Sequence, residues 1–128
     1  MIYLDSSVAL AQLFAENRAP PEKIAEAPLV SSRLFEYEVW NRIHSRGLTD
    51  THGGLVHALL SRIVLIELSP AVLSRALKPF PVAVRTSDGL HLASIDYVRA
   101  RGEEIELASY DRRFVKAARA LGIAIYPL

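Results

Sequence analysis

The sequence predicts an α/β protein in which helices cover both faces of a mainly parallel, five-stranded sheet. Short apolar runs alternate with longer segments of helical periodicity along the whole chain. The first apolar run ends in the polar turn Asp5-Ser6-Ser7 before a helix begins, which is how an α/β unit opens. Five short strands among about seven helices require crossover connections, and these give a parallel sheet covered on both sides.

The predicted strands are short and mostly apolar. The third is marked by its β-branched residues, and the fourth carries Glu106, which indicates a partly exposed face. The predicted strands comprise residues 2–4, 29–30, 64–68, 105–109 and 123–126. Sites in such sheets form beyond the carboxyl ends of the strands, and Asp5 and Asp111 both lie at such ends.

Capping residues and glycines mark the ends of the predicted helices. The helices cover about residues 6–14, 20–26, 32–46, 49–62, 69–78, 86–101 and 111–121. The expected N-caps are Ser31 or Ser32, Thr49, Ser69, Thr86 or Ser87, and Asp111. Gly47, Gly102 and Gly122 are expected to end three of these helices.

The composition indicates one folded domain, residues 1–128, with room for a single core. Hydrophobic residues make up 51% of the chain and charged residues 23%, which excludes a disordered protein. The apolar runs are shorter than the roughly 20 residues of a membrane span, and the N-terminus does not resemble a signal peptide. The absence of cysteine excludes disulfides, zinc–thiolate sites and cysteine nucleophiles. We therefore expect a cytoplasmic protein that does not bind membranes.

Four acids scattered along the chain form its most informative pattern: Asp5, Glu38, Asp88 and Asp111. Each has an ordinary explanation by itself, as a helix cap, a first-turn acid or a solvated helix residue. The predicted topology nevertheless brings the ends of the first and fourth strands together with the neighbouring helices. Carboxylates gathered away from water repel one another unless cations neutralise them. The joint placement therefore predicts a site for one or two Mg²⁺ or Mn²⁺ ions and hydrolysis of phosphodiesters.

The basic residues favour a polyanionic substrate. Of the 15 Lys and Arg residues, 12 are Arg, whose planar fork suits phosphate, although Arg-rich codon usage would give the same composition. With the four acids neutralised by cations, 10 acids remain against 15 basic residues, a balance of +5 in place of the formal +1. The arginines nearest these acids in the sequence are candidates for contacts with substrate phosphates: Arg42, Arg85, Arg112 and Arg113.

Neighbouring acids compete with this set. Helical-wheel position does not separate Glu36 from Glu38, since Glu36 falls nearer the apolar stripe that includes Val39. Asp96 is expected to form a surface ion pair with Arg99 rather than to join the site.

Two other polar residues lie close to the acids in the sequence. Ser109 precedes Asp111 by two residues and either supports a carboxylate or a metal-bound water, or is an ordinary strand-end hydroxyl. His91 follows Asp88 by one helical turn and is expected to pack or hydrogen-bond locally, because none of the four histidines has zinc-site spacing.

Four motifs occur in order along the chain, at residues 2–7, 31–39, 87–93 and 109–114, with Ala117-Ala118 and Gly122 downstream. Each is weakly specific, but the ordered set spans nearly the whole sequence. In the order and content of these motifs, the chain resembles the PIN-domain ribonucleases, specifically the VapC-type toxins of bacterial and archaeal toxin–antitoxin pairs. The resemblance implies a three-layer α/β/α sandwich with a five-stranded parallel sheet, commonly as a homodimer.

The resemblance also implies site residues and partners. It assigns Mg²⁺ or Mn²⁺ binding to the four acids and selects Glu38 over Glu36, because the family's acid directly precedes an aliphatic residue. Ser6 and Ser109 match positions beside the metal that often hold Ser or Thr. The implied partners are RNA and a separately encoded antitoxin, whose C-terminal segment covers the active site and often places a basic side chain among the acids. Gly89 departs from the family, which more often has Ala there.

The resulting hypothesis is a metal-dependent endoribonuclease that acts as a toxin. Metal-activated water attacks the phosphorus in line and leaves 5′-phosphate and 3′-hydroxyl ends, so a preference for RNA must come from binding. The alternatives are a non-catalytic nucleic-acid or protein binding module on a PIN-like fold, or a Mg²⁺-dependent phosphoacceptor domain. A phosphoacceptor would need an acidic pair after the first strand, where Asp5 is followed by two serines.

Overall fold

The computed structural model describes residues 1–15 and 22–128 and has one sheet of five parallel strands. The strands are β1 (Ile2–Leu4), β2 (Leu29–Ser32), β3 (Ile63–Ile66), β4 (Glu106–Ala108) and β5 (Ala124–Ile125). Their order across the sheet is β3-β2-β1-β4-β5. The predicted α/β class is confirmed, and every pairing is parallel.

Six α-helices and a short 3₁₀ helix at Glu22–Glu26 connect the strands within the described residues. The α-helices are α1 (Ser6–Leu13), α2 (Arg33–Ser45), α3 (Thr49–Leu60), α4 (Pro70–Ala76), α5 (Thr86–Arg99) and α6 (Arg112–Ala120). The predicted start of the second helix at Pro20-Pro21 lies outside the described residues. In the two described ranges, no helix is both long and apolar enough to cross a membrane.

The alternation of side chains along the strands creates two cores, one on each face of the sheet. In β1, Ile2 and Leu4 pack with α1, α2 and α3, whereas Tyr3 points to the opposite face and packs with α5 and α6. The fully buried side chains Phe35 and Phe114 belong to these two cores respectively. The result is the three-layer α/β/α arrangement expected from the sequence.

The capping predictions are mostly confirmed. The Ser32 and Ser69 hydroxyls accept hydrogen bonds from the first-turn amides of α2 and α4, and Gly47 ends α2 with a φ of +67°. The prediction of Thr86 or Ser87 as the N-cap of α5 is wrong, because α5 begins at Thr86 and Arg85 occupies the N-cap position. The prediction for Thr49 is also wrong, because it is the first residue of α3 and Leu48 occupies the N-cap position. The Thr49 hydroxyl instead lies 2.7 Å from His44 Nδ1, a contact with the preceding helix that local capping rules do not anticipate.

The register of the central strands determines where the candidate site lies. Leu4 at the end of β1 pairs with Ala108 at the end of β4. One residue further on, the Asp5 amide donates to the Ala108 carbonyl oxygen at 3.0 Å. Asp5 and Ser109 therefore emerge side by side from adjacent strands, at the carboxyl edge of the sheet where such folds place their sites.

Candidate functional site

A cavity of about 330 Å³ opens at this carboxyl edge. The four predicted acids all line it, although they come from four separate parts of the chain: the β1–α1 junction, α2, α5 and the N-terminus of α6. The complete lining is Asp5, Ser6, Ser7, Leu10, Glu38, Arg42, Arg85, Ser87, Asp88, His91 and Asp111. Four carboxylates against two guanidinium groups leave a net charge of −2 with His91 neutral.

Asp5 and Asp88 are the two most buried carboxylates of the cavity, each at 6% exposure. Asp5 lies at the β1–α1 junction. It occupies the N-cap position of α1, yet its side chain makes no capping hydrogen bond. Its Oδ2 instead accepts hydrogen bonds from the hydroxyls of Ser7 at 2.6 Å and Ser109 at 2.7 Å. Burial raises the Asp5 pKa, while His91 and these two hydroxyls oppose the increase. A bound cation would stabilise a carboxylate that is buried and makes no capping hydrogen bond.

Arg85 joins two of the other acids. Its Nε donates to Asp88 Oδ2 at 3.0 Å and its Nη2 to Asp111 Oδ2 at 2.7 Å. These two hydrogen bonds raise the Arg85 pKa. Partial burial alone would raise the Asp111 pKa, but Arg85 and the α6 amides outweigh burial and lower it.

Asp111 also caps α6, as its position in the sequence predicts. Its Oδ1 accepts from the amides of Arg113 at 2.9 Å and Phe114 at 3.2 Å. Because capping uses Oδ1 and Arg85 uses Oδ2, the structural and site interactions of this carboxylate fall on different oxygen atoms. Capping therefore does not remove Asp111 from the cavity.

Glu38 is held by a histidine. Its Oε1 lies 2.6 Å from Nε2 of His91, whose Nδ1 lies 2.6 Å from the hydroxyl of Tyr3. The expectation that His91 interacts only locally is wrong, because its partners come from α2 and β1. Position along one helix does not reveal which strand and helix pack against it, and this accounts for the error.

The donor set matches a hard divalent cation in kind and charge, since carboxylate oxygens are the ligands that Mg²⁺ and Mn²⁺ prefer. Protein groups hold all four acids: two hydroxyls at Asp5, His91 at Glu38, and Arg85 at Asp88 and Asp111. In the part of the chain that the structure describes, no three acids or histidines are grouped closely enough to form a ready ion site. The residue types fit the ion, and Arg85 already contacts one oxygen of Asp88 and one of Asp111.

The sequence of the chain matches the family model described as the PIN domain over residues 2–120. The chain belongs to the PIN-domain family. It is 33% identical over 128 residues to "Ribonuclease VapC46" of Mycobacterium tuberculosis strain H37Rv, an alignment that covers 97% of this chain and 95% of the relative. It is also 28% identical over 130 residues to "Ribonuclease VapC35" of Mycobacterium tuberculosis strains CDC 1551 and H37Rv, covering 98% of this chain and 95% of each relative.

Two of the four predicted arginines, Arg42 and Arg85, line the cavity of this PIN domain. Arg113 lines an adjoining groove of about 480 Å³ that shares Arg85 and Asp88 with the cavity and also includes Lys116. Arg112 is exposed and lines neither. The structure thus separates four arginines that are equivalent in sequence into cavity, groove and outer surface.

The competing acids lie outside the cavity. Glu36 pairs with Arg33 at 3.3 Å on the exposed side of α2. Asp96 pairs with Arg99 at 3.3 Å, as predicted, and with Arg75 at 2.8 Å. Neither Glu36 nor Asp96 contributes to the lining of the PIN-domain cavity.

Sequence reasoning selected Ser6 and missed Ser7. Ser6 lines the cavity, but Ser7 donates to Asp5 and its Oγ accepts the Tyr110 amide at 3.0 Å. Ser109, which was predicted, donates to Asp5 and accepts the Asp111 amide at 3.0 Å. The i, i+2 spacing from Asp5 to Ser7 is the one signal that would have found this contact, since a short side chain there reaches back to the residue before the helix.

Proposed function

We propose that this protein is a metal-dependent endoribonuclease and the toxin of a toxin–antitoxin pair. The observation that carries the proposal is the convergence of Asp5, Glu38, Asp88 and Asp111 on one cavity of a PIN domain. Its relatives in Mycobacterium tuberculosis are named ribonucleases VapC46 and VapC35, in agreement with this activity.

The four carboxylates bind Mg²⁺ or Mn²⁺ in this proposal. When bound, the ion neutralises charge on the phosphate and lowers the pKa of water for attack on phosphorus. The chain's own contribution is orientation: Ser7 and Ser109 fix the Asp5 carboxylate. The exposed side chain of Arg42 lies at the cavity wall, where it can bind the phosphate of the substrate.

The adjoining groove provides a path for the RNA backbone. Its three cations, Arg85, Arg113 and Lys116, face a single carboxylate, Asp88, at the boundary with the cavity. A basic groove that leads into an acidic cavity attracts the polyanion and leaves the scissile phosphate beside the metal ligands.

The proposed protein partners are an antitoxin and a second copy of the chain. The net negative charge of the cavity suits a basic side chain from an antitoxin, and Arg85 demonstrates that a guanidinium fits between Asp88 and Asp111. The homodimer is proposed from the family resemblance, in which dimers are common.

A non-catalytic binding module is the second candidate, favoured by the Arg85 contacts that neutralise two acids without a metal. One experiment separates the two: structured RNAs incubated with wild type or Asp5→Asn, in Mg²⁺, Mn²⁺ or EDTA. The nuclease proposal expects cleavage only by wild type with a divalent ion. Equal cleavage by the variant, cleavage in EDTA, or RNA binding without cleavage would contradict it.

A further inference from the structure

A chain of two hydrogen bonds runs from the sheet core to the cavity through His91. It begins at the hydroxyl of Tyr3, in the central strand β1, and ends at Glu38 Oε1, with both contacts at 2.6 Å. Tyr3 is 0% exposed and His91 1% exposed, so water does not compete for either ring. Tyr3 itself lies behind the cavity wall, of which His91 and Glu38 form part.

The chemistry of the three groups sets the direction of these hydrogen bonds. An ionised carboxylate has only lone pairs to offer, so Nε2 of His91 carries the hydrogen in its contact with Glu38. The remaining nitrogen, Nδ1, faces the Tyr3 hydroxyl. The phenolic hydroxyl has one hydrogen, which it can donate to Nδ1 at 2.6 Å. The contact with the carboxylate therefore places a hydrogen on Nε2 of His91.

Packing holds the imidazole in this orientation. Its ring lies edge-on to Tyr3 at 5.7 Å and tilted against Phe114 at 5.6 Å between centroids. Near Tyr3, the hydroxyls of Ser31 and Ser94 donate to backbone carbonyls at 2.7 and 2.9 Å. The ring contacts therefore hold Nδ1 of His91 toward Tyr3 and Nε2 toward Glu38.

We propose that Tyr3 and His91 are positioning residues that orient the Glu38 carboxylate for divalent-ion binding. The inference rests on the proposed metal-dependent function. The Glu38 side chain is 27% exposed and has several rotatable bonds. Without His91, ion binding would have to restrict the rotation of this carboxylate, which costs conformational entropy. Fixing Oε1 beforehand removes that cost, as partners behind a metal ligand commonly do.

The test uses Tyr3→Phe, which removes one hydroxyl and retains the packed ring. Binding of Mn²⁺ alone is measured by titration calorimetry, and Tm in EDTA is recorded to separate affinity from folding. We expect a Kd for Mn²⁺ about tenfold weaker than wild type, a matching increase in the Mn²⁺ concentration needed for half-maximal RNA cleavage, and an unchanged KM for RNA. Tyr97→Phe is the matched control, because its hydroxyl contacts Arg101 on the surface, and its Mn²⁺ affinity should equal that of wild type.

Variants of His91 and the wild-type ring itself supply independent readouts should Tyr3→Phe fail to fold. His91→Gln retains an N–H donor and should recover part of the affinity that His91→Leu loses. Nitrogen NMR of wild type with Mg²⁺ should show the hydrogen on Nε2, and a ring with hydrogen on Nδ1 alone would overturn the inference. Unchanged Mn²⁺ affinity in Tyr3→Phe would overturn it and leave the nuclease proposal intact, whereas a wild type that binds no Mn²⁺ would overturn both.

Discussion

Arg85 Nη2 lies 2.7 Å from Asp111 Oδ2, so the protein's own cation neutralises a carboxylate proposed to bind metal. The same guanidinium donates to Asp88 at 3.0 Å. If Asp88 and Asp111 bind the metal as proposed, a divalent ion and Arg85 compete for the same two acids. Under this competition, removing the Arg85 guanidinium should lower the stability of the metal-free protein and raise its affinity for the metal.

Replacing Arg85 by Gln should destabilise the metal-free protein and strengthen metal binding. Because the Arg85 side chain is 49% exposed, we expect a loss of about 1 kcal/mol or less in EDTA. Mg²⁺ should then raise the Tm of the variant more than that of wild type, since no ion pair has to break. Arg33→Gln is the matched control, because Arg33 also joins two acids, Glu36 and Glu67, outside the cavity. An equal Mg²⁺ response in wild type and Arg85→Gln would contradict the competition.

Asp5→Asn should stabilise the metal-free protein while abolishing cleavage. The substitution removes a charge that burial disfavours and retains an oxygen for the hydroxyls of Ser7 and Ser109. We expect the free energy of unfolding in EDTA at pH 7 to increase by about 1 kcal/mol. Chemical denaturation with and without Mg²⁺ measures the effect, and only wild type should gain stability from the ion.

The stability difference between wild type and Asp5→Asn should also depend on pH. Since the folded-state Asp5 pKa is raised above its ordinary value of 3.8, the unfolded chain releases this proton first as the pH rises. As the pH rises from about 3.8 to the folded-state pKa of Asp5, wild type therefore becomes progressively less stable than the variant. Above the folded-state pKa, the difference in stability stays constant. The lowered Asp111 pKa has the opposite effect: it stabilises the folded protein above the ordinary pKa of Asp, and this stabilisation is lost as the pH falls. Because Asp111 is present in both proteins, its effect cancels in the difference between them. A pH-independent difference in EDTA would refute this account.

The two glutamates of α2 offer a paired test of the site. Glu38→Gln should reduce cleavage by about two orders of magnitude or more, because it removes a charged ligand. Glu36→Gln should leave the cleavage rate within about twofold of wild type, since Glu36 contacts Arg33 outside the cavity. Initial rates at saturating Mn²⁺ distinguish them, and equal losses in both variants would argue against the assignment.

Arg113 and Arg112 test the proposed RNA groove. Arg113→Gln should raise the KM for RNA and reduce the slope of log affinity against log salt by about 0.7, as expected for one lost phosphate contact. Arg112→Gln, one residue away and outside the groove, should change neither. Similar salt slopes in the two variants would place the RNA path elsewhere.

Gly89→Ala should stabilise α5 without affecting the site. A Cβ on residue 89 would lie 3.4 Å from Val84 and 3.6 Å from Phe80, so the methyl group fits with minor adjustment. Removing the backbone freedom of glycine from a helix interior should add about 0.5–1 kcal/mol to the free energy of unfolding. Thermal denaturation measures the gain, and a lower Tm would mean that the Val84 side chain cannot yield.

The fold was predictable because local signals agree with one another along the chain. Ser32, Ser69 and Asp111 cap the helices they were predicted to cap, and the strands lie within a few residues of their predicted positions. Thr49 failed because the hydroxyl of a residue at a helix start has competing partners, and His44 on the preceding helix is one of them. Such contacts between elements leave no periodic trace in the sequence.

The sequence alone determined the α/β class, because strand and helix patterns are local. It also predicted the four acids that line the cavity, although the choice of Glu38 over Glu36 came from the family resemblance. The tertiary structure decided which neighbours those acids have. Arg85 bridges Asp88 and Asp111. Tyr3 is linked to Glu38 through His91, which lies 88 residues after Tyr3 in the sequence. These contacts depend on parallel strand register and on helix packing across the sheet, which no single segment encodes by itself.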